Sequence, residues 1–192
     1  MKKILISIPT YNEAENIRKL CQKIFNLKIN FDVIIIDDNS PDGTGKVVNE
    51  LKKKYKNLIL KQRQKKTGLG SALRFAMQYA FKRNYDVLIT LDADFQHDPV
   101  LIPKFLSIDE NITIVCGRRD FNGLMPIHRR LSNIITSKIV SLICKVQIFD
   151  SQCGYRRYRK CGVPDFRPRS LSPRRGIQSI QLQEAHAGFA NF

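Results

Sequence analysis

Four short apolar runs constrain this chain more than any other feature: Ile4 to Ile8, Val33 to Ile36, Val87 to Leu91 and Ile112 to Cys116. Polar residues barely interrupt them. A strand with one wet face alternates apolar and polar residues with a period of two, so near-continuous runs belong in a sheet covered on both faces. Between them the apolar spacing changes to that of helices. Glu13 to Leu27 carries Ile17, Leu20, Cys21, Ile24 and Phe25, with Asn12 placed as its N-cap. A helix is predicted through Val47, Val48, Leu51 and Tyr55, and another over Ser71 to Arg83 with Leu73, Met77, Ala80 and Phe81 on one face. Leu58 to Leu60 is a short strand and Pro99 to Leu106 a short helix. Arg130 to Ile143 is amphipathic through Leu131, Ile134, Ile135, Ile139 and Leu142. Strand and helix in alternation predict an α/β fold, a mainly parallel sheet with helices on both faces.

Three of the strands run into polar turns: Pro9 to Glu13, Asp37 to Gly45 and Asp92 to Asp98. Open α/β sheets bind ligands outside the carboxyl ends of their strands, so these loops converge on one site if their strands are neighbours. Asp92 and Asp94 are two apart at a strand end, where their side chains can face one side and share a hard cation, with the Gln96 amide oxygen in reach. The plainer alternative for this stretch is a turn, and Asp98 before Pro99 is read only as a cap of the next helix. Asp37 and Asp38 form a second acidic pair, costly unless a cation, a donor or solvent answers it. A carboxylate there can accept hydrogen bonds from a ribose or a base; a solvated turn closed by Asp42-Gly43 is the alternative. Gly68-Leu69-Gly70 follows a basic run rather than a strand and lacks the third glycine of a dinucleotide fingerprint. Arg118, Arg119, Arg129 and Arg130 supply guanidinium forks suited to phosphate oxygens. Tyr11 is a candidate to stack on a base.

The 192 residues correspond to about one domain, and a formal net charge of +16 favours an anionic partner: a nucleotide, a nucleic acid or an anionic membrane face. Clustered acids at strand ends oppose a nucleic-acid backbone, and no nucleic-acid motif is present, so none is expected as a partner. Five cysteines without CxxC spacing point to reduced thiols. No apolar run reaches the length of about 18 residues needed to span a bilayer, so membrane contact is expected to be peripheral.

Together these stretches resemble the family 2 glycosyltransferases of GT-A fold, closest to the dolichol and polyprenol phosphate mannosyltransferases. Six blocks carry the resemblance: Ile8 to Ile17, Ile36 to Gly45, Lys66 to Gly70, Leu91 to Pro99, Gly117-Arg118-Arg119, and Asp150 to Arg156. The resemblance implies an inverting transfer of a hexose, mannose from GDP-mannose, onto polyprenyl or dolichyl phosphate at the cytosolic face of a membrane, with Mg2+ or Mn2+. It implicates Pro9, Tyr11, Glu13, Ile36, Asp38, Asp92, Ala93, Asp94, Gln96, Arg119 and Arg130 in substrate binding. Asp94 and Gln96 are the implied metal ligands. Asp92, Asp94 and Asp150 are the implied catalytic residues, Asp150 orienting the acceptor or acting as base toward a hydroxyl.

Two departures follow. Asp150-Ser-Gln-Cys-Gly-Tyr-Arg156 is more like the glucosyl branch, which opens the alternative of UDP-glucose or another UDP-sugar as donor. Beyond Lys160 the family pattern stops. Residues 1–160 are therefore expected to form the catalytic domain, its nucleotide-sugar half, incomplete at the C-terminal side. Residues 161–192 are read as a basic tail, disordered or translated from a shifted frame, which leaves an inactive nucleotide-binding fragment as a further alternative. Reading the coding DNA in its other frames tests the shift.

Overall fold

The computed structural model describes residues 2–118, 127–144, 148–160 and 177–181. Seven strands form one sheet in the order β3-β2-β1-β4-β6-β5-β7. They are β1 (Ile4–Thr10), β2 (Asp32–Asp37), β3 (Leu58–Gln62), β4 (Val87–Thr90), β5 (Ile114–Arg118), β6 (Arg156–Arg159) and β7 (Ile177–Gln181). The helices are α1 (Ala14–Phe25), α2 (Thr44–Lys54), α3 (Leu69–Lys82), α4 (Ile102–Ser107), entered through a 3-10 turn at Pro99–Leu101, and α5 (Ile127–Cys144).

β1 lies at the centre of the parallel part, paired with β2 on one side and β4 on the other. The chain leaves β1 toward β2 and β3, then crosses back to β4. The strand order therefore reverses between β1 and β4, where open α/β sheets form their ligand crevice. Register carries the polar loops to the same height: Thr10 pairs with Asp37, and Ser7 with Thr90.

Alternation along the strands builds the two core layers. Ile4, Ile6, Ile8, Val33, Ile35, Val87 and Ile89 pack against Ile17, Leu20, Cys21 and Ile24 of α1, Val48 and Leu51 of α2, and Ile102 and Phe105 of α4. Leu5, Ile34, Ile36 and Leu88 face the other way, onto α3. The buried stripe of α3 is Ala72, Ala76 and Ala80, one residue per turn. The expected face of Leu73, Met77, Ala80 and Phe81 is rotated by that packing; Phe81 is exposed. Small side chains let the helix sit close to β-branched neighbours, a preference that an apolar count does not register.

Asn12 does not cap α1. It takes a left-handed φ of 59°, a conformation asparagine tolerates better than most residues. The amides at the helix start are instead satisfied by the loop after β2: Ser40 Oγ accepts from Asn12 N (3.0 Å), Thr44 Oγ1 from Glu13 N (3.0 Å) and Asp42 Oδ2 from Ala14 N (2.9 Å). The first two polar loops are thus bound to one another.

β6 was not expected as a strand. It runs antiparallel between β4 and β5. β7 runs parallel to β5 and lies within the segment read as a tail; the rest of residues 161–192 falls outside the described residues. α5 is also reversed relative to a surface helix. Asn133 and Ser137 are buried, while Leu131, Ile134, Ile135, Ile139, Leu142 and Ile143 are exposed.

Candidate functional site

At the switch point a cavity of about 220 Å³ opens between the ends of β1, β2 and β4, lined by Pro9, Tyr11, Glu13, Asp38, Asp92, Ala93 and Asp94 together with Arg63, Lys66 and the start of α3. A second cavity of about 280 Å³ adjoins it and shares Pro9, Leu69, Ala72 and Asp92. It continues between α3 and the loop Ser151 to Gly154.

The two acidic pairs behave differently. Asp37 is fully buried and turned into the protein, its Oδ1 accepting from Thr10 Oγ1 at 3.0 Å and from the Ser40 hydroxyl. Asp38 turns to the cavity. Its Oδ1 meets the Arg63 guanidinium, and its Oδ2 accepts from the amides of Thr67 (3.0 Å) and Gly68 (3.1 Å). One like-charge neighbour is answered by hydroxyls, the other by a cation and two amides, so the pair is tolerated. Arg63 also reaches Ser71 Oγ at 2.9 Å. Its guanidinium fixes the basic run against the start of α3. Lys66 Nζ stands 3.7 Å above the centre of the Tyr11 ring, a cation–π contact on the face that a base would use.

Asp94 is exposed and accepts from the Gln96 amide at 3.1 Å. Asp92 is half-buried at the junction of the two cavities, and a Cβ on Gly154 would stand 2.5 Å from its Oδ2. Only glycine leaves room for that carboxylate. Among the described residues no group of three or more acidic, histidine or cysteine side chains could enclose a metal. The carboxylates of Asp92 and Asp94, both on the cavity wall, nonetheless fit Mg2+ or Mn2+, which bind through one or two carboxylates and complete their shell with water and substrate phosphates. Thiol chemistry finds no support at two cysteines: burial pushes Cys21 up to about 12 and raises Cys116.

Several expected residues sit elsewhere. The Ile36 side chain is fully buried against α3 and does not reach the cavity. Gln96 is exposed and lines neither cavity. Asp150 is 1% exposed, its Oδ1 accepting from Asn133 Nδ2 (3.0 Å) and Gln152 N (3.2 Å), and it lines neither cavity. Asp150 ties α5 to the loop before β6. Arg119 lies outside the described residues, as does the side chain of Arg130, whose backbone belongs to α5. Asp98 caps the turn into α4 as expected, accepting from Val100 N at 3.1 Å. Arg63, Lys66, His97 and Gly154 were not singled out from the sequence. Adjacency in space joins Arg63, Lys66 and Gly154 to the acidic turns, whereas His97 lies within the turn Asp92 to Asp98 itself.

Residues 5–164 match the family model described as Glycosyl transferase family 2. An uncharacterized protein of Methanocaldococcus jannaschii is 37% identical over 78% of this chain and 68% of its own length. An undecaprenyl-phosphate mannosyltransferase of Micrococcus luteus is 32% identical over 82% of this chain and 66% of its own. For a polyprenol monophosphomannose synthase of Mycolicibacterium smegmatis the figures are 30%, 83% and 62%. Among solved structures, a mannosyltransferase of Pyrobaculum calidifontis in complex with GDP-Man and Mn2+ superposes with a TM-score of 0.55 at 19% identity, over 81% of this chain and 44% of that one. Glucosyl-3-phosphoglycerate synthase of Mycobacterium tuberculosis with Mn2+, UDP and phosphoglyceric acid gives 0.61 at 17%, over 82% and 56%. The chain spans about two thirds of the length of these curated relatives and about half that of these solved structures.

Proposed function

The chain belongs to glycosyl transferase family 2, and on that premise we propose that residues 1–160 bind a nucleotide sugar for inverting transfer of a hexose to a polyprenyl or dolichyl phosphate. The observation that carries this reading is the meeting of Pro9 to Glu13, Asp38 and Asp92 to Asp94 in one cavity at the switch point of the sheet. GDP-mannose is the first donor to test, because relatives at 30 to 32% identity are named for mannosyl transfer to polyprenyl phosphates. The glucosyl-like block Asp150 to Arg156 keeps a UDP-sugar as the second.

In this reading Asp38 and Arg63 shape the base and ribose end, Tyr11 stacks once Lys66 swings aside, and Lys66 turns to the diphosphate. Asp94 and Gln96 would hold Mg2+ or Mn2+, which neutralises charge growing on the leaving diphosphate. An acceptor phosphate oxygen forms the new bond at the anomeric carbon from the opposite face. The bond from that carbon to the diphosphate oxygen breaks, and the electron pair leaves with the nucleotide. A phosphate acceptor is already ionised near neutral pH, so no strong protein base is demanded, in keeping with a buried Asp150. Arg119 and Arg130 are assigned to the phosphates.

A membrane-borne acceptor also suits α5, whose apolar side chains face outward beside the loop of Asp150. No helix among the described residues is long and apolar enough to cross a membrane, and the proposed contact is peripheral, at the cytosolic face. Calorimetric titration with GDP, UDP, GDP-mannose and UDP-glucose, with and without Mn2+, tests the donor half. Metal-dependent binding of one nucleotide supports it; salt-sensitive DNA binding with no nucleotide binding overturns it.

A further inference from the structure

His97 is 2% exposed and belongs to none of the roles assigned above. Its Nδ1 accepts from the Asp92 amide at 3.2 Å and lies 3.4 Å from Asp92 Oδ2. Its Nε2 faces Cys153 Sγ at 3.5 Å, and its ring stands 5.3 Å from that of Tyr155. If Nδ1 accepts from that backbone N–H, the ring proton lies on Nε2, toward the sulfur; a proton on Nδ1 would instead face Asp92 Oδ2. The histidine thus closes the turn Asp92 to His97 across its own base and bolts that turn to the loop before β6.

The turn requires such a closure. Phe95, an aromatic residue at its tip, has a φ of 62°, which is unfavourable for a bulky side chain and persists only where the surroundings impose it. The second loop is held as firmly. Thr90 Oγ1 donates to Gly154 O at 2.7 Å, Tyr155 Oη to Asp98 O at 3.2 Å, and Arg156 Nε to Cys153 O at 2.8 Å. Between the loops the Asp92 carboxylate is pressed by the Gly154 backbone on one side and by His97 on the other.

We propose that His97 is a positioning residue: by accepting the Asp92 amide and packing against Cys153 and Tyr155, it fixes the Asp92 side chain and the turn that presents Asp94. The inference rests on the donor-site reading above. A satisfied histidine that merely filled the core would matter to stability alone. A positioning histidine matters to the site through its Nδ1 acceptor. Partners that orient ligating or substrate-holding side chains typically change affinity by about 10- to 100-fold when lost.

The test uses the full chain with Mn2+ and the nucleoside diphosphate that the wild type prefers. His97→Phe keeps the ring beside Tyr155 and removes the acceptor; His97→Asn keeps an acceptor near the Nδ1 position, and His97→Gln moves it toward Nε2. Expected are a roughly tenfold or greater loss of Mn2+-dependent nucleotide affinity in His97→Phe and His97→Gln, recovery to near wild type in His97→Asn, and unchanged metal-free nucleotide affinity in all three. If His97→Phe fails to fold, the comparison of Asn with Gln decides alone. Wild-type affinity in His97→Phe or His97→Gln, equal loss in His97→Asn and His97→Gln, or parallel losses with and without metal would overturn the proposal. If the wild type itself shows no metal-dependent binding, the donor-site reading fails instead. The nitrogen-15 spectrum of the imidazole then still decides the link: a proton on Nε2 supports it, and a proton on Nδ1 sinks it.

Discussion

Asp38 and Arg63 form an ion pair across the mouth of the cavity, the carboxylate from the end of β2 and the guanidinium from just past β3. Both side chains are largely buried. Arg63→Ala leaves Asp38 with its two amide donors but without a cation. It is expected to cost about 2 kcal/mol of stability, the scale of a charge-assisted hydrogen bond left unmade, and to weaken nucleotide binding with and without metal alike. Denaturant unfolding and calorimetry measure the two effects separately.

Asp94→Ala removes an exposed carboxylate that accepts from Gln96 N within its own turn. Stability should stay within about 0.5 kcal/mol of wild type, while metal-dependent nucleotide binding disappears. Unchanged affinity in calorimetry would take Asp94 out of the site.

Gly154→Ala forces a methyl group to within 3.0 Å of all three carboxylate atoms of Asp92. Either the loop or the carboxylate must move, at a cost of about 1–3 kcal/mol. The expected result is a lower thermal midpoint together with a weaker response of nucleotide binding to Mn2+. A variant that matches wild type in both would show that Asp92 has slack.

Asp42 gives the fold a pH dependence with a definite sign. Slight burial pushes its carboxyl upward, but hydrogen bonds from the Thr44 hydroxyl and from the Ala14 and Thr44 amides outweigh it, and the pKa is lowered. A carboxyl lowered in the folded state binds protons more readily when unfolded. Its contribution is present above the unfolded value of about 3.9 and is lost as pH falls through the folded value. Asp42→Asn should therefore be less stable than wild type at pH 7, with the gap narrowing below about pH 4. A gap that is constant with pH would show that hydrogen-bond shape matters there and charge does not.

The outward face of α5 is testable on lipid. Ile139→Glu combined with Leu142→Glu replaces two exposed apolar side chains and should leave stability within about 0.5 kcal/mol. Cosedimentation with anionic vesicles should fall at least about tenfold, since burying one such side chain contributes roughly 1.5–3 kcal/mol. Equal sedimentation of variant and wild type would remove this face from membrane contact.

Strands were legible where they hold a run of apolar residues: β1 to β5 lie within a few residues of the runs read from the sequence. The convergence of three loops was legible for the same reason. β6 was not, because its Arg157 is 3% exposed and is held by groups far away in sequence, its Nε alone left without a hydrogen-bond partner. Its guanidinium donates to the carbonyls of Phe105, Ile108, Asp109 and Ile112 at 2.8 to 3.3 Å. No local pattern shows that an arginine is destined for a cage of carbonyls. α5 misled in the opposite way: its helical period was plain, but which face turns inward depended on Asp150 needing Asn133. Gly154 meets Asp92 from a distant part of the chain, and its place in the sequence carries no sign of it.

The place of β6 between β4 and β5 also sets an order of assembly. β4 and β5 follow one another in the chain yet share no ladder; each pairs with β6, which is synthesised some 40 residues after β5 begins. Until β6 is made, β4 ends the parallel part of the sheet with one edge unpaired, and β5 has no neighbour to pair with. Such open edges are the surfaces through which nascent chains aggregate. Closure by an arginine-rich strand, gripped by carbonyls of the α4–β5 segment, makes the joining of β4 to β5 a step of insertion, before β7 adds at the edge beside β5.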